Sequence, residues 1–129
     1  MVLADMEAGL EHLSWAGGTL RHVDLLLVVV LPTAKSLLTA RRTVDLAAQL
    51  GIPRVAFVAN RTGPRDLDRV TAFAATQGAE VIAVIPDDDD LGWADRIGRC
   101  ALDCVPEAAA VRAVEQLAGE LEARFLAPA

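Results

Sequence analysis

Leu25-Leu26-Leu27-Val28-Val29-Val30-Leu31 is seven apolar residues without a break, β-branched in its second half and stopped by Pro32. No other feature constrains the fold as much. It is the longest apolar run in the chain, and it falls far short of the roughly 20 residues that a membrane span requires. A strand wetted on one face alternates apolar with polar residues. An unbroken run instead predicts a strand buried on both faces, as in a parallel sheet covered by helices.

The rest of the chain repeats the theme. Val2-Leu3-Ala4 is a short apolar run ending in Asp5, with a break at Gly9. From Thr33 to Leu50 the period becomes helical: Thr33 is placed to cap the start, Leu37, Ala40, Val44 and Ala47 share a face, and Gly51 sits at the C-cap. Val55 to Ala59 reads as a strand ending at Asn60, and Arg61 to Arg65, with Gly63-Pro64 inside, as a loop. Asp66 to Thr76 is amphipathic through Leu67, Val70, Phe73 and Ala74, and Gly78 stops it. Val81 to Ile85 is a further strand, cut off by Pro86. A short helix is expected around Trp93 to Ile97, and a last one from about Pro106 to Phe125. Strand and helix alternate at the spacing of βαβ units, so the predicted class is α/β, a parallel sheet covered by helices.

The 129 residues suffice for one compact domain, and a hydrophobic share of 53% excludes a disordered chain. Two cysteines cannot make a disulfide scaffold, and no signal-peptide pattern opens the sequence, so a cytoplasmic location is expected. Against 18 acidic residues stand 12 basic ones, a net charge of −6. That balance gives no charge-based case for nucleic acid or an anionic membrane as partner. Eleven of the basic residues are arginines; the one lysine is Lys35.

In open α/β sheets ligands bind beyond the carboxyl ends of the strands. Four segments lie there: Asp5 with Met6-Glu7-Ala8-Gly9, Pro32-Thr33, Asn60-Arg61, and Pro86-Asp87-Asp88. Asp5 to Gly9 has the form D-x-x-x-G. A carboxylate so placed can hold a Mg²⁺-bound water, and the glycine N–H can approach a terminal phosphate. The fuller string Asp5-Met6-Glu7-Ala8-Gly9-Leu10-Glu11-His12-Leu13 resembles the end of the Mg²⁺-associated strand in MinD/ParA-type deviant P-loop ATPases. Within them it is most like the carbon monoxide dehydrogenase nickel-insertion accessory proteins. Asp24 to Pro32, Ser36-Leu37 and Thr39-Ala40-Arg41-Arg42 look like that family's next strand and helix. Val58-Ala59-Asn60-Arg61 is similar to its adenine-contacting strand end, Val84-Ile85-Pro86-Asp87-Asp88 to its I-P-x-D turn, and Ala94-Asp95-Arg96-Ile97-Gly98 and the last helix also fit.

The resemblance implies ATP and Mg²⁺ as cofactors. Asp5 would position the metal through water, Gly9 would sense the γ-phosphate, and Asn60, Pro86 and Asp88 would hold the adenine. It also implies a nucleotide-gated dimer that serves a metalloenzyme client. One element of the family is missing from these residues, the loop G-x-x-x-x-G-K-[ST] whose backbone cradles the phosphates. Lys35-Ser36 mimics its end, but Val29 and Ala34 stand at both glycine positions, so Lys35 reads as a solvated residue of a helix's first turn. The chain is therefore expected to be one partial P-loop NTPase-like domain, residues 1–129, lacking the N-terminal P-loop strand and helix. By itself it should not hydrolyse ATP. Strand edges left unpaired in such a domain predict a homo-oligomer or a complementing N-terminal half. The alternative is a non-enzymatic α/β interaction module, a remnant of such an ATPase. A phosphorylatable receiver domain is a third option, but neither later strand ends in the lysine it needs.

The remaining candidates carry less. Cys100 and Cys104 share a helical face and could bind a metal across a dimer, or be buried structural residues. The C-x-C motif of the nickel-insertion branch is absent. His12 and His22 have no catalytic partners at a recognisable spacing. Asp87 to Asp90 reads as a solvated turn that caps the next helix, and Trp15 and Trp93 as packing or interface residues.

Overall fold

The computed structural model describes residues 1–6 and 22–125. In chain order these residues form β1 (Leu26–Val30), α1 (Ala34–Gln49), β2 (Val55–Ala59), α2 (Pro64–Thr76), β3 (Glu80–Val84), α3 (Asp89–Arg96), α4 (Ala101–Cys104) and α5 (Ala109–Phe125). The strands stand in the order β1-β2-β3, all parallel, with Val28 beside Phe57 and Val30 beside Ala59. Parallel neighbours cannot be joined by a tight turn, and α1 and α2 are the crossovers that join them.

Both crossovers cover the same face. Ala40 of α1 and Val70 and Ala74 of α2 are buried with Val30, Phe57 and Ala59. Leu37, Val44 and Phe73 pack around them, so the helical faces read from the sequence are the ones that meet the sheet. Phe57 and Phe73 lie with ring centroids 5.5 Å apart and planes tilted by 58°, near the edge-to-face geometry that aromatic pairs favour. A second cluster joins Ala47 and Ile52 with Val23, Leu26 and Val55 at the other end of the strands. Thr33 caps α1 by accepting the Ser36 N–H, and Gly51 closes it at φ +75°. α5 lies against β3, held at its end by Arg124, which pairs with Glu80 at 2.7 Å and Glu120 at 2.8 Å. Those two carboxylates raise the Arg124 pKa above its ordinary value.

Several expectations need correction. Two-sided burial holds for β2, whose Ala56, Phe57, Val58 and Ala59 are all buried, but not for β1, where Val29 is 60% exposed. The reason is position: β2 is flanked by two strands, whereas β1 is at one side of the described sheet. Residues 2–4 form no strand, and Val2 is 95% exposed. A strand exists only through a paired neighbour, and none of the described strands pairs with this run. α2 starts at Pro64 rather than Asp66, because proline's fixed φ and missing N–H suit a first helical position. α3 begins at Asp89, capped by Asp88 rather than starting near Trp93. α5 begins at Ala109 because Pro106 and Glu107 form a turn after the short α4.

Candidate functional site

The backbone of the sheet continues one step past its strands. Asn60 N–H donates to Val30 O at 2.8 Å, Ile85 N–H to Ala59 O at 2.8 Å, and Thr62 N–H to Ile85 O at 3.1 Å. These bonds carry the pairing on to Ile85, opposite Asn60, and Pro86 follows directly at the carboxyl edge of β2 and β3. Asn60 and Pro86 are both half-buried.

The turn out of β2 is tightly specified. Arg61 has φ +50°, and is the one non-glycine with positive φ among the described residues. Its N–H is met by Asn60 Oδ1 at 3.0 Å, which supports a backbone conformation that a side chain makes unfavourable. Thr62, only 2% exposed, donates its hydroxyl to Asn60 O at 3.0 Å. Asn60 is thus gripped through its carbonyl, its N–H and its amide oxygen, and the Nδ2 amino group is left as its donor toward a ligand. Across the edge, Arg61 Nε lies 3.2 Å from Asp87 Oδ1. Both side chains are largely exposed, so this pair contributes little energy.

Asp88 is occupied differently. Its Oδ1 accepts the Asp90 N–H and its Oδ2 the Ala110 N–H, each at 3.0 Å. One carboxylate therefore caps α3 and also binds the start of α5, 22 residues away. The capping expected of the aspartate run is present and resides in Asp88.

Asn60, Pro86 and Asp88 thus all lie just past the carboxyl ends of β2 and β3. Asp5 does not sit at a strand end; it is exposed within residues 1–6, which have no regular structure. Gly9, His12 and Trp15 lie outside the described residues. Lys35 is exposed in the first turn of α1, and Ser36 Oγ accepts the Leu31 N–H at 2.9 Å, so this Lys-Ser pair belongs to a helix start. Cys100 precedes α4 and is exposed, Cys104 ends it half-buried, and both thiols are free. His22 and Trp93 are exposed. Among the described residues no three metal-ligating side chains gather. A groove between β3 and α5 is lined by Val81, Val84, Ala113 and Leu117 with Gln116 and Glu120, and Glu120 is paired with Arg124. Three features were not legible in the sequence: the Thr62 hydroxyl bond, the left-handed backbone of Arg61 with its pair to Asp87, and the reach of Asp88 to Ala110. Of these, the turn Asn60-Arg61-Thr62 alone carried a local signal, an asparagine and a threonine able to support a turn with their side chains.

Solved structures resemble this arrangement. The cell division protein MinD of Aquifex aeolicus superposes with a TM-score of 0.64 at 22% identity, over 78% of this chain and 46% of that one. A ParA family ATPase from Chlorobium tepidum TLS gives 0.60 at 24%, over 74% and 40%. The fold is MinD/ParA-like. Sequence relatives agree with it. The MinD/ParA-like chain is 38% identical to the carbon monoxide dehydrogenase accessory protein CooC of Rhodospirillum rubrum over 110 residues, 81% of this chain and 39% of that protein. It is 35% identical to an uncharacterised ATP-binding protein of Methanocaldococcus jannaschii over 100 residues, 77% and 38% of the two chains. It spans about two-fifths of the length of these curated relatives. No family model matches it.

Proposed function

We propose that the chain binds ATP at the carboxyl edge of β2 and β3, as the base-holding part of a MinD/ParA-type ATPase that serves metalloenzyme maturation. The observation that supports this most is that the segments carrying Asn60 and Pro86 are joined through Ile85 and Thr62 at the carboxyl edge, where an open α/β sheet takes its ligands. The names of the sequence relatives point the same way: two are described as ATP-binding or as an accessory of carbon monoxide dehydrogenase. In this reading Asn60, Pro86 and the Asp88 turn hold the adenine. Mg²⁺, which commonly binds through one or two carboxylates plus phosphates, would neutralise phosphate charge, and the exposed Asp5 carboxylate has the chemistry to hold one of its waters. Gly9 is the proposed γ-phosphate sensor.

Turnover is not proposed for these 129 residues by themselves, which contain no G-x-x-x-x-G-K-[ST] loop. Phosphoryl transfer rests on positioning and charge neutralisation, and such a loop supplies both. The test is an amide-resolved NMR titration with Mg-ATP. Binding by a base pocket with few phosphate contacts is expected to be weak, detectable at about 5 mM nucleotide. The amides of Asn60, Arg61 and Asp87 should shift, adenosine should shift the same set, and Asn60→Ala should abolish the effect. No shift at these positions in the unaltered chain overturns the reading.

A second proposal concerns partners. Val29 at 60% exposed, with Leu31 and Leu38 also exposed nearby in sequence, favours an associated state in which β1 is covered, by a second copy or a complementing chain. A cytoplasmic location is part of the same reading; among the described residues no helix is long and apolar enough to cross a membrane.

A further inference from the structure

The two oxygens of Asp88 are both committed to backbone amides. Asp90 and Ala110 are each the second residue of a helix, α3 and α5, where an N–H has no acceptor within its own helix. One carboxylate therefore satisfies two orphan donors from elements far apart in sequence, and its negative charge suits both helix starts. Asp88 also lies two residues after Pro86, in the segment that leaves β3 at the same edge where Asn60 leaves β2. A carboxylate that read an adenine directly would have to accept from the exocyclic N6 amino group through the second lone pair of an oxygen already fixed to a helix start.

We propose that Asp88 is a positioning residue of the nucleotide site: it ties the Pro86–Asp88 turn to α3 and α5 and so fixes Pro86 at the edge it shares with Asn60, while the base is met by Asn60 Nδ2 and Pro86. This rests on the nucleotide reading above and changes the part Asp88 plays in it. The alternative, direct reading of the base by the Asp88 carboxylate, makes a different prediction for nucleotides that lack the amino group.

The test compares ATP with ITP, which carries an oxygen in place of the N6 amino group, on the unaltered chain and on Asp88→Ala and Asp88→Asn, with backbone amide exchange measured alongside. In Asp88→Ala the amides of Asp90 and Ala110 should lose their protection. Dissociation constants for ATP and ITP should rise together, by about tenfold, as when hydrogen bonds to a charged group are lost. The ratio between the two nucleotides should stay as it is in the unaltered chain. Asp88→Asn retains one acceptor, so one of the two amides should remain protected and the loss of affinity should be smaller; this variant decides the matter if Asp88→Ala does not fold. A change in the ATP-to-ITP ratio overturns the proposal in favour of direct base reading. Unchanged affinity with accelerated exchange at Ala110 overturns it too, since the tie would then be structural only. If the unaltered chain binds neither nucleotide, the nucleotide reading itself has failed, a result distinct from both.

Discussion

At the scale of single residues, the candidate edge depends on side chains that serve the backbone. Thr62 is buried and spends its hydroxyl on the carbonyl of Asn60. Thr62→Val keeps the shape and removes the donor, leaving that carbonyl without its partner. A loss of about 1 kcal/mol is expected in urea unfolding, with weaker nucleotide-induced shifts at Asn60. Phe57 is fully buried among α1, α2 and the neighbouring strand, and meets Phe73. Phe57→Ala removes that ring from a closed site and should cost about 3–5 kcal/mol, read as a large fall in the denaturation midpoint. Against total stabilities of roughly 5–15 kcal/mol such a loss can unfold a domain. Asn60 and Pro86 were legible as site candidates because each follows an apolar strand. The Thr62 and Asp88 bonds were not, since their partners lie across the fold or are backbone atoms with no signature.

Among elements, α1 obeys its sequence most closely. Its cap at Thr33, its apolar face and the left-handed Gly51 at its end are all local features, readable from spacing. Thr33→Ala should destabilise the chain by about 1 kcal/mol in thermal or urea unfolding, as for other lost N-caps. Where a helix start depends on distant atoms, reading from spacing fails. α3 starts at Asp89 and α5 at Ala109, and the Asp88 carboxylate reaches both. Nothing in a local window ties residue 88 to residue 110. The four residues of α4 are too few to show a helical period at all.

For the whole molecule, the exposed Val29 of β1 sets the test of association. If a second copy covers β1, the purified chain should elute at twice its 13.7 kDa mass or more in light-scattering chromatography, and Val29→Lys should shift it to the monomer. A monomer at high concentration before substitution would remove the support for self-association. Should a complementing chain supply phosphate-binding groups, ATP hydrolysis should be absent in the isolated chain and appear only on mixing.

The alternation of apolar runs with amphipathic segments determined the α/β class, the parallel sense of the sheet and the helical faces that cover it. Those follow from unbroken apolar runs and from the 3.6-residue period of the segments between them, which a local window contains. The unbroken run at Leu25 to Leu31 correctly announced a strand, but its burial was not a local property. The same apolar composition is enclosed in β2 and leaves Val29 exposed in β1, because burial depends on how many neighbours a strand has. Tertiary structure alone decided that, and it alone decided which backbone amides the Asp88 carboxylate serves. A hydrogen bond between residues 88 and 110 exists only once the chain has folded around it.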